Sequence, residues 1–265
     1  SNVHEVAVRQ WRKNLFSRQT WSEISRVRKR IENEHYDLVI DLQGLLKSAW
    51  IARWARSVVA GYDSESIKEP IASRFYNKRY HVSKSLLAMT RCRALAALAL
   101  GYDYTKMPLS FGMKDFSEKR SEHPYAVFLV NTSRETKLWD QERWIALAKA
   151  VFQTQGTEVR LFWSSEVERQ RVEYIAKASG DFCHVMPRVT IGECARWIQM
   201  AKFAIGVDTG LTHLAAATAV PTVGLFLDFP IELVGLSGKH VESLGGVGAN
   251  PTVSDVLAAL ERAKC

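Results

Sequence analysis

The sequence predicts an α/β protein of two domains, each built on a parallel sheet, and two observations carry that prediction. Short runs that are apolar throughout recur, such as YAVFLV (125–130), EVRLFW (158–163) and FAIGV (203–207), and a helix-length segment follows each. Strands of continuous rather than alternating apolar character belong to sheets covered on both faces, with the intervening helix as crossover. The second observation is a break in that rhythm. Gly101, Pro108, Gly112 and Pro124 fall among mixed charges in residues 101–124, which marks a linker. The expected domains are therefore 1–112 and 113–265.

The elements follow in order. Thr20-x-x-Glu23 reads as a capping box opening a helix that runs to about Glu34. YDLVID (36–41) reads as a buried strand. GLLKSAWIARWARS (44–57) reads as a helix with Leu46, Trp50, Ile51 and Trp54 on one side. A short strand VVAGY (58–62), an irregular polar stretch to about residue 80 and a helix over 83–100 complete the first domain. Beyond the linker, strand 125–130 leads to helix 140–154 and strand 158–163 to helix 165–178. Strand 182–186 leads to helix 191–200, opened by a capping box at Thr190-x-x-Glu193. Strand 203–207 leads to helix 211–219, and strand 222–227 precedes a last helix near 253–263.

Composition narrows the function classes. At 265 residues, with 47% hydrophobic and 24% charged, the chain is ordinary globular material. It contains no apolar run of the ~18 residues that a membrane span needs. Cys92, Cys183, Cys194 and Cys265 show neither a CxxC pair nor a metal-ligand spacing, so they read as reduced thiols in a cytosolic protein. Charge is uneven: residues 1–120 carry 22 Lys and Arg against 12 Asp and Glu, a net +10, whereas residues 121–265 carry 14 against 16. Residues 9–30 alone hold eight basic side chains and one acid, Glu23. That run is either a solvated helix face or the half of the molecule that meets a polyanion.

In parallel sheets ligands bind beyond the carboxyl ends of the strands, so the chemistry is sought there. After strand 125–130, Thr132 and Ser133 offer hydroxyls and Lys137 a point charge; this is a phosphate-type set or an ordinary polar loop. After strand 158–163, Glu166 and Glu168 either complement the dipole of the next helix or accept sugar hydroxyls. After strand 203–207 comes GVDTGLTHLAAA (206–217). Asp208 there is a helix cap or part of an anion site in which Gly210 admits close approach and Thr209 adds a hydroxyl. His213 is a satisfied core residue or a contributor to that site. The set favours a nucleotide or nucleotide-sugar pyrophosphate, and neither GxGxxG nor the P-loop signature occurs.

RQWRKNLF, YDLVIDLQGLLKSA, EPIASRFYNKRY, NTSRETKLW and FAIGVDTGLTHLAAA, in that order along the chain, together resemble the bacterial lipopolysaccharide heptosyltransferases of glycosyltransferase family 9. They are most similar to the members that add the first heptose to the Kdo of Kdo2-lipid A. The resemblance implies a GT-B fold, two Rossmann-like domains facing across a cleft, and inverting, metal-independent transfer from ADP-heptose with no cofactor. It implies that Thr132, Ser133 and Lys137 form the donor-phosphate loop, that Glu168 contacts the donor nucleoside or sugar, and that Val189 lies against the adenine. Asp208, Thr209, Gly210 and Leu211 match the turn that holds the pyrophosphate and a heptose hydroxyl, and His213 matches the histidine of that motif. Arg12, Lys13 and Lys68 match positions that grip the phosphorylated acceptor. The catalytic burden then falls on Lys137 and Asp208.

Two departures qualify the resemblance. Family members begin roughly 50 residues earlier, with a glycine-containing loop that supplies the general base. The expectation is therefore a partial first domain, retained donor binding and impaired transfer. The family's Gly-Pro-Thr-Asp-Pro-type loop reads GLFLDFP (224–230) here. A type II or III heptosyltransferase, or a non-catalytic relative binding ADP-sugar or anionic glycolipid, is the alternative. Nucleic acid is not an expected partner, since no motif for it accompanies the basic run. The expected location is cytoplasmic, peripheral to the anionic inner face of the inner membrane.

Overall fold

The computed structural model describes residues 3–113 and 124–265, so linker positions 114–123 lie outside the described residues. The chain forms two compact units, Ser1–Met107 and Pro108–Cys265. The sequence places the division after residue 112, whereas by contacts Pro108 already belongs to the second unit.

The first unit opens with helices α1 (Val8–Lys13) and α2 (Arg18–Asn33). Strand β1 (Leu38–Ile40), helix α3 (Leu46–Ala52), strand β2 (Val58–Tyr62), strand β3 (Lys78–Tyr80) and helix α4 (Ala88–Leu100) follow. The three strands pair in parallel in the order β1-β2-β3. One core face gathers Val59, Tyr62, Ile67, Tyr76 and Leu95; another gathers Trp11, Ile24, Ile31, Trp54 and Ala55. The expected capping box at Thr20 is not formed. Ser17 is the N-cap residue, Thr20 is a buried position inside α2, and Glu23 accepts instead from the Trp11 indole at 3.0 Å. The expected apolar face of 44–57 holds in part: Ile51 and Trp54 pack with Trp11, Ile24 and Ile31, whereas Leu46 and Trp50 are exposed and Ala49 and Ala52 are buried with Val59 and Tyr62.

The second unit contains β4 (Tyr125–Leu129), α5 (Gln141–Gln155), β5 (Glu158–Leu161), α6 (Glu166–Ser179), β6 (Cys183–Val185) and α7 (Ile191–Gln199). After them come β7 (Phe203–Val207), α8 (Gly210–Ala217), β8 (Thr222–Phe226), α9 (Ile231–Val234), β9 (Val241–Gly245) and α10 (Val253–Lys264). All neighbours are parallel, in the order β6-β5-β4-β7-β8-β9. Alternate residues of β4 serve opposite faces. Ala126, Phe128 and Val130 join Trp144, Leu147, Leu225 and Leu260 on one side; Tyr125, Val127 and Leu129 join Ile198 and Ala215 on the other. Both faces are covered, which is why the strands read as continuous apolar runs. Strands β3 and β9 were not anticipated. KRY and VESLG lack an apolar run because both lie at sheet edges, half exposed. The capping box at Thr190 and Glu193 is formed, with further ones at Ser165/Glu168 and Thr252/Asp255.

Candidate functional site

Strand order reverses between β4 and β7: β5 and β6 lie to one side, β8 and β9 to the other. The crevice beyond the carboxyl ends at such a switch point is where open α/β sheets bind ligands. Strand β4 delivers Asn131–Lys137 to that point and β7 delivers Asp208, whose own N–H continues the ladder to Leu225 O at 2.9 Å.

The two segments are bonded to each other. The Thr132 hydroxyl donates to Asp208 O at 3.1 Å, and Lys137 Nζ donates to Asp208 Oδ2 at 2.6 Å. Only 17% of the lysine side chain and 13% of the aspartate are exposed. Nε2 of His213 lies 3.8 Å from Asp208 Oδ1. His213 and Lys137 hold the Asp208 carboxyl below the usual carboxylate range, against the opposing effect of burial. His213 is exposed, so the core reading of this residue does not hold. Its ring edges Phe226 at 6.1 Å between centroids.

Asp208 is not the cap of α8. Thr209 holds that position, and its side chain makes no capping hydrogen bond. The N–H groups of Gly210 and Leu211 are therefore left to solvent or a ligand, while that of Thr212 donates to Thr209 O at 3.1 Å. A Cβ built on Gly210 would meet nothing within 4 Å, so the space before this turn is open. Leu211, half-buried, packs on the core behind it. The helix is seated by Thr212, whose hydroxyl donates to Val207 O at 2.6 Å. It approaches β7 so closely that a Cβ on Gly206 would lie 2.2 Å from Thr212 Oγ1.

A third strand end joins the site, and the sequence reading did not assign it. The Thr136 hydroxyl donates to Asp228 Oδ2 at 3.0 Å, and Arg134 Nη1 lies 3.8 Å from the same oxygen. The Phe229 ring lies 5.0 Å from Lys137 Nζ and 5.8 Å from the Arg134 guanidinium carbon. The DFP sequence thus clamps the 131–137 loop from the side of β8. Trp139 fixes the loop's far end by donating its indole N–H to Pro251 O at 3.0 Å.

The remaining predicted residues stand apart from this contact set. Ser133 is exposed and makes no hydrogen bond to the pair among the described residues. Glu168 completes the cap of α6: its Oε2 accepts from Ser164 N at 2.7 Å, Ser164 Oγ at 2.6 Å and Ser165 N at 3.3 Å. Val189 follows β6 and packs against the cluster containing Leu129, Phe162 and Met186. In the first unit Arg12, Lys13 and Lys68 are exposed. A cavity of about 690 Å³ beside β1 is lined by Arg9, Gln10, Asp41, Gln43 and Lys47, Arg9 being one helix with Arg12 and Lys13. Asp63, Glu65 and His81 bring their ligand atoms within 4.8 Å of one another after β2 and β3, with His81 Nδ1 2.9 Å from Asp63 Oδ2. No two cysteines are bonded, and burial pushes the Cys183 thiol up to about 12.

Residues 24–254 match glycosyltransferase family 9 (heptosyltransferase). Lipopolysaccharide heptosyltransferase 1 of Pseudomonas aeruginosa is 39% identical over 248 residues, which is 92% of this chain and 69% of that protein. The protein of the same name from Salmonella typhimurium is 38% identical over 242 residues, 90% of this chain and 76% of its own. Among solved structures, Escherichia coli heptosyltransferase WaaC with ADP matches at a TM-score of 0.87 and 33% identity, covering 99% of this chain and 84% of that one. WaaC with ADP-2-deoxy-2-fluoro heptose matches at 0.85 and 31% identity. The match spans both units, so the fold class is GT-B, with two Rossmann-like parallel sheets. On the family match and on relatives above 30% identity across both units, the chain belongs to glycosyltransferase family 9, the heptosyltransferases.

Proposed function

We propose that the chain transfers heptose from ADP-heptose to the Kdo of Kdo2-lipid A during assembly of the lipopolysaccharide inner core. The observation that carries this reading is the Lys137–Asp208 pair at the switch point of the second sheet, beside the open N-terminus of α8. A cation, hydroxyls and free N–H groups at adjacent strand ends suit a pyrophosphate. A carboxylate alongside suits a sugar hydroxyl.

The reaction is a displacement with inversion. A base takes the proton of the acceptor hydroxyl, its oxygen bonds to the anomeric carbon, and the bond from that carbon to the ADP oxygen breaks. Negative charge then grows on the departing phosphate. Lys137 and the N–H groups of Gly210 and Leu211 neutralise it, which serves where a metal ion otherwise would. Thr132 and Ser133 orient the phosphate oxygens, and Thr209 adds a hydroxyl. Asp208 holds Lys137 in place and accepts a heptose hydroxyl, with His213 steadying the carboxylate from its other oxygen. Glu168 meets the nucleoside or sugar, and Val189 the adenine. Arg12, Lys13 and Lys68 bind the anionic acceptor, with the Arg9 and Lys47 cavity on the same unit. The protein works in the cytoplasm, peripheral to the anionic inner membrane, without nucleic acid or a resident cofactor.

Calorimetry with ADP and mass analysis of Kdo2-lipid A test this. ADP binds, and Lys137→Ala weakens it about 10-fold or more, whereas Arg12→Ala leaves it unchanged. The opposite order would overturn the division between donor and acceptor units. With ADP-heptose the acceptor gains one heptose. Tight ADP binding with no heptose on any Kdo acceptor would instead make this a non-catalytic relative.

A further inference from the structure

We propose that the turn at Leu15 and Phe16, with Trp21 behind it, is a wedge that enters the headgroup region of an anionic bilayer. The inference deepens the function proposed above and rests on it in one respect, the acceptor being a membrane-anchored anionic lipid.

Helices α1 and α2 attach to the first unit through Trp11, Ile24 and Ile31, which pack with Trp54 and Ala55. Those residues use up the inward stripe of α2. Leu15, Phe16 and Trp21 lie off that stripe: Phe16 is fully exposed, Trp21 more than half and Leu15 about half. These three large apolar side chains at the α1–α2 junction belong to none of the buried clusters among the described residues.

Part of the backbone beneath them is already hydrogen-bonded. Asn14 N donates to Trp11 O at 3.1 Å and Ser17 N to Asn14 O at 3.0 Å. The Trp21 indole N–H donates to Leu15 O at 2.8 Å. With the Asn14 and Leu15 carbonyls already accepting, the turn has fewer backbone groups to strip of water on entering an interface. Indole and phenyl rings at a helix end are also side chains that favour the membrane–water boundary.

Charge selects the partner. Arg12, Lys13 and Arg18 flank the turn, and all eight basic residues of the 9–30 segment are exposed. The one acid there, Glu23, accepts from Trp11. A second copy would set this cationic face against itself. A dissolved glycolipid headgroup would meet the cations and leave the apolar tip in water. An anionic bilayer meets both, with the long basic side chains reaching the phosphates around an inserted tip. No helix among the described residues is long and apolar enough to cross a membrane, so the attachment is interfacial.

The whole chain is tested on phosphatidylcholine vesicles with and without phosphatidylglycerol, free of any acceptor glycolipid. Binding is read by co-sedimentation and depth by bromolipid quenching of tryptophan fluorescence. Wild-type protein binds the anionic vesicles and is quenched. The double variant Leu15→Ser/Phe16→Ser binds about 10-fold or more weaker, loses the quenching and keeps its ADP affinity. Arg18→Gln weakens binding severalfold, and added salt does the same. Unchanged vesicle binding by the double variant would overturn the wedge, as would loss of self-association in its place. Wild-type protein that ignores vesicles yet adds heptose to detergent-dispersed acceptor would sink the wedge and spare the reaction. Phe16-dependent vesicle binding without heptose transfer would do the reverse.

Discussion

Lys137 and Asp208 are two half-buried charges, each of which would be costly alone. Their pairing has a consequence in acid. Because the folded-state pKa of Asp208 is depressed, its contribution to stability is complete above the unfolded value of 3.8 and is lost as the pH falls through the lower folded value. Wild-type protein should therefore exceed Asp208→Asn in urea midpoint at neutral pH, and the gap should narrow below about pH 4. A gap that is constant with pH would mean that the carboxylate is not held by its cationic neighbours. At this scale the sequence is informative about residue type and silent about partners. Thr132, Lys137, Asp208 and His213 stand in two short segments at strand ends, where a phosphate-type set is recognisable. The Thr136–Asp228 bond joins positions 92 residues apart, and nothing local announces it. Glu168 shows the converse: a helix-dipole reading and a ligand reading fit the same letters, and the structure shows its Oε2 capping α6.

Helix starts show how far local patterns reach at the level of elements. The same Ser/Thr-x-x-Glu spelling marks a true cap at Thr190 and at Ser165, but lies within α2 at Thr20. The pattern fixes two side chains three residues apart, which a helix interior satisfies as well as its first turn. Strands of the second sheet were legible because burial on both faces demands continuous apolar runs. The edge strands β3 and β9 face that demand on neither side to the same degree, and their letters carry no such run. The seat of α8 on β7 gives a sharper test. In Gly206→Ala the new methyl would fall 2.2 Å from Thr212 Oγ1 and 2.8 Å from Leu129 Cβ. The helix must shift outward, at a cost of about 1–3 kcal/mol in unfolding free energy. ADP affinity should fall with it, since the α8 N-terminus moves; a variant losing stability alone would show that this helix end does not touch the ligand.

For the whole molecule, two units have separate cores and opposite charge balance, and the function proposed above assigns donor binding to the second. ADP at about 100 times its Kd should stabilise the unit that binds it by about 2.7 kcal/mol. Hydrogen exchange should slow in β4, β7 and β8 and keep its ligand-free rate in β1, β2 and β3. Slowing spread evenly over both sheets would contradict donor binding by the second unit alone.

The three-strand clamp also sets an order in time. Lys137 leaves the ribosome 71 residues before Asp208 and still longer before Asp228, and the latter two secure its loop. A nascent chain that ends short of β7 holds the phosphate-type loop with neither residue that secures it, and one that ends short of β8 still lacks Asp228. Affinity for nucleotide is thus acquired at one late step of synthesis, when the central strands close together. Nucleotide on a translating chain would report that the second unit is complete through β8.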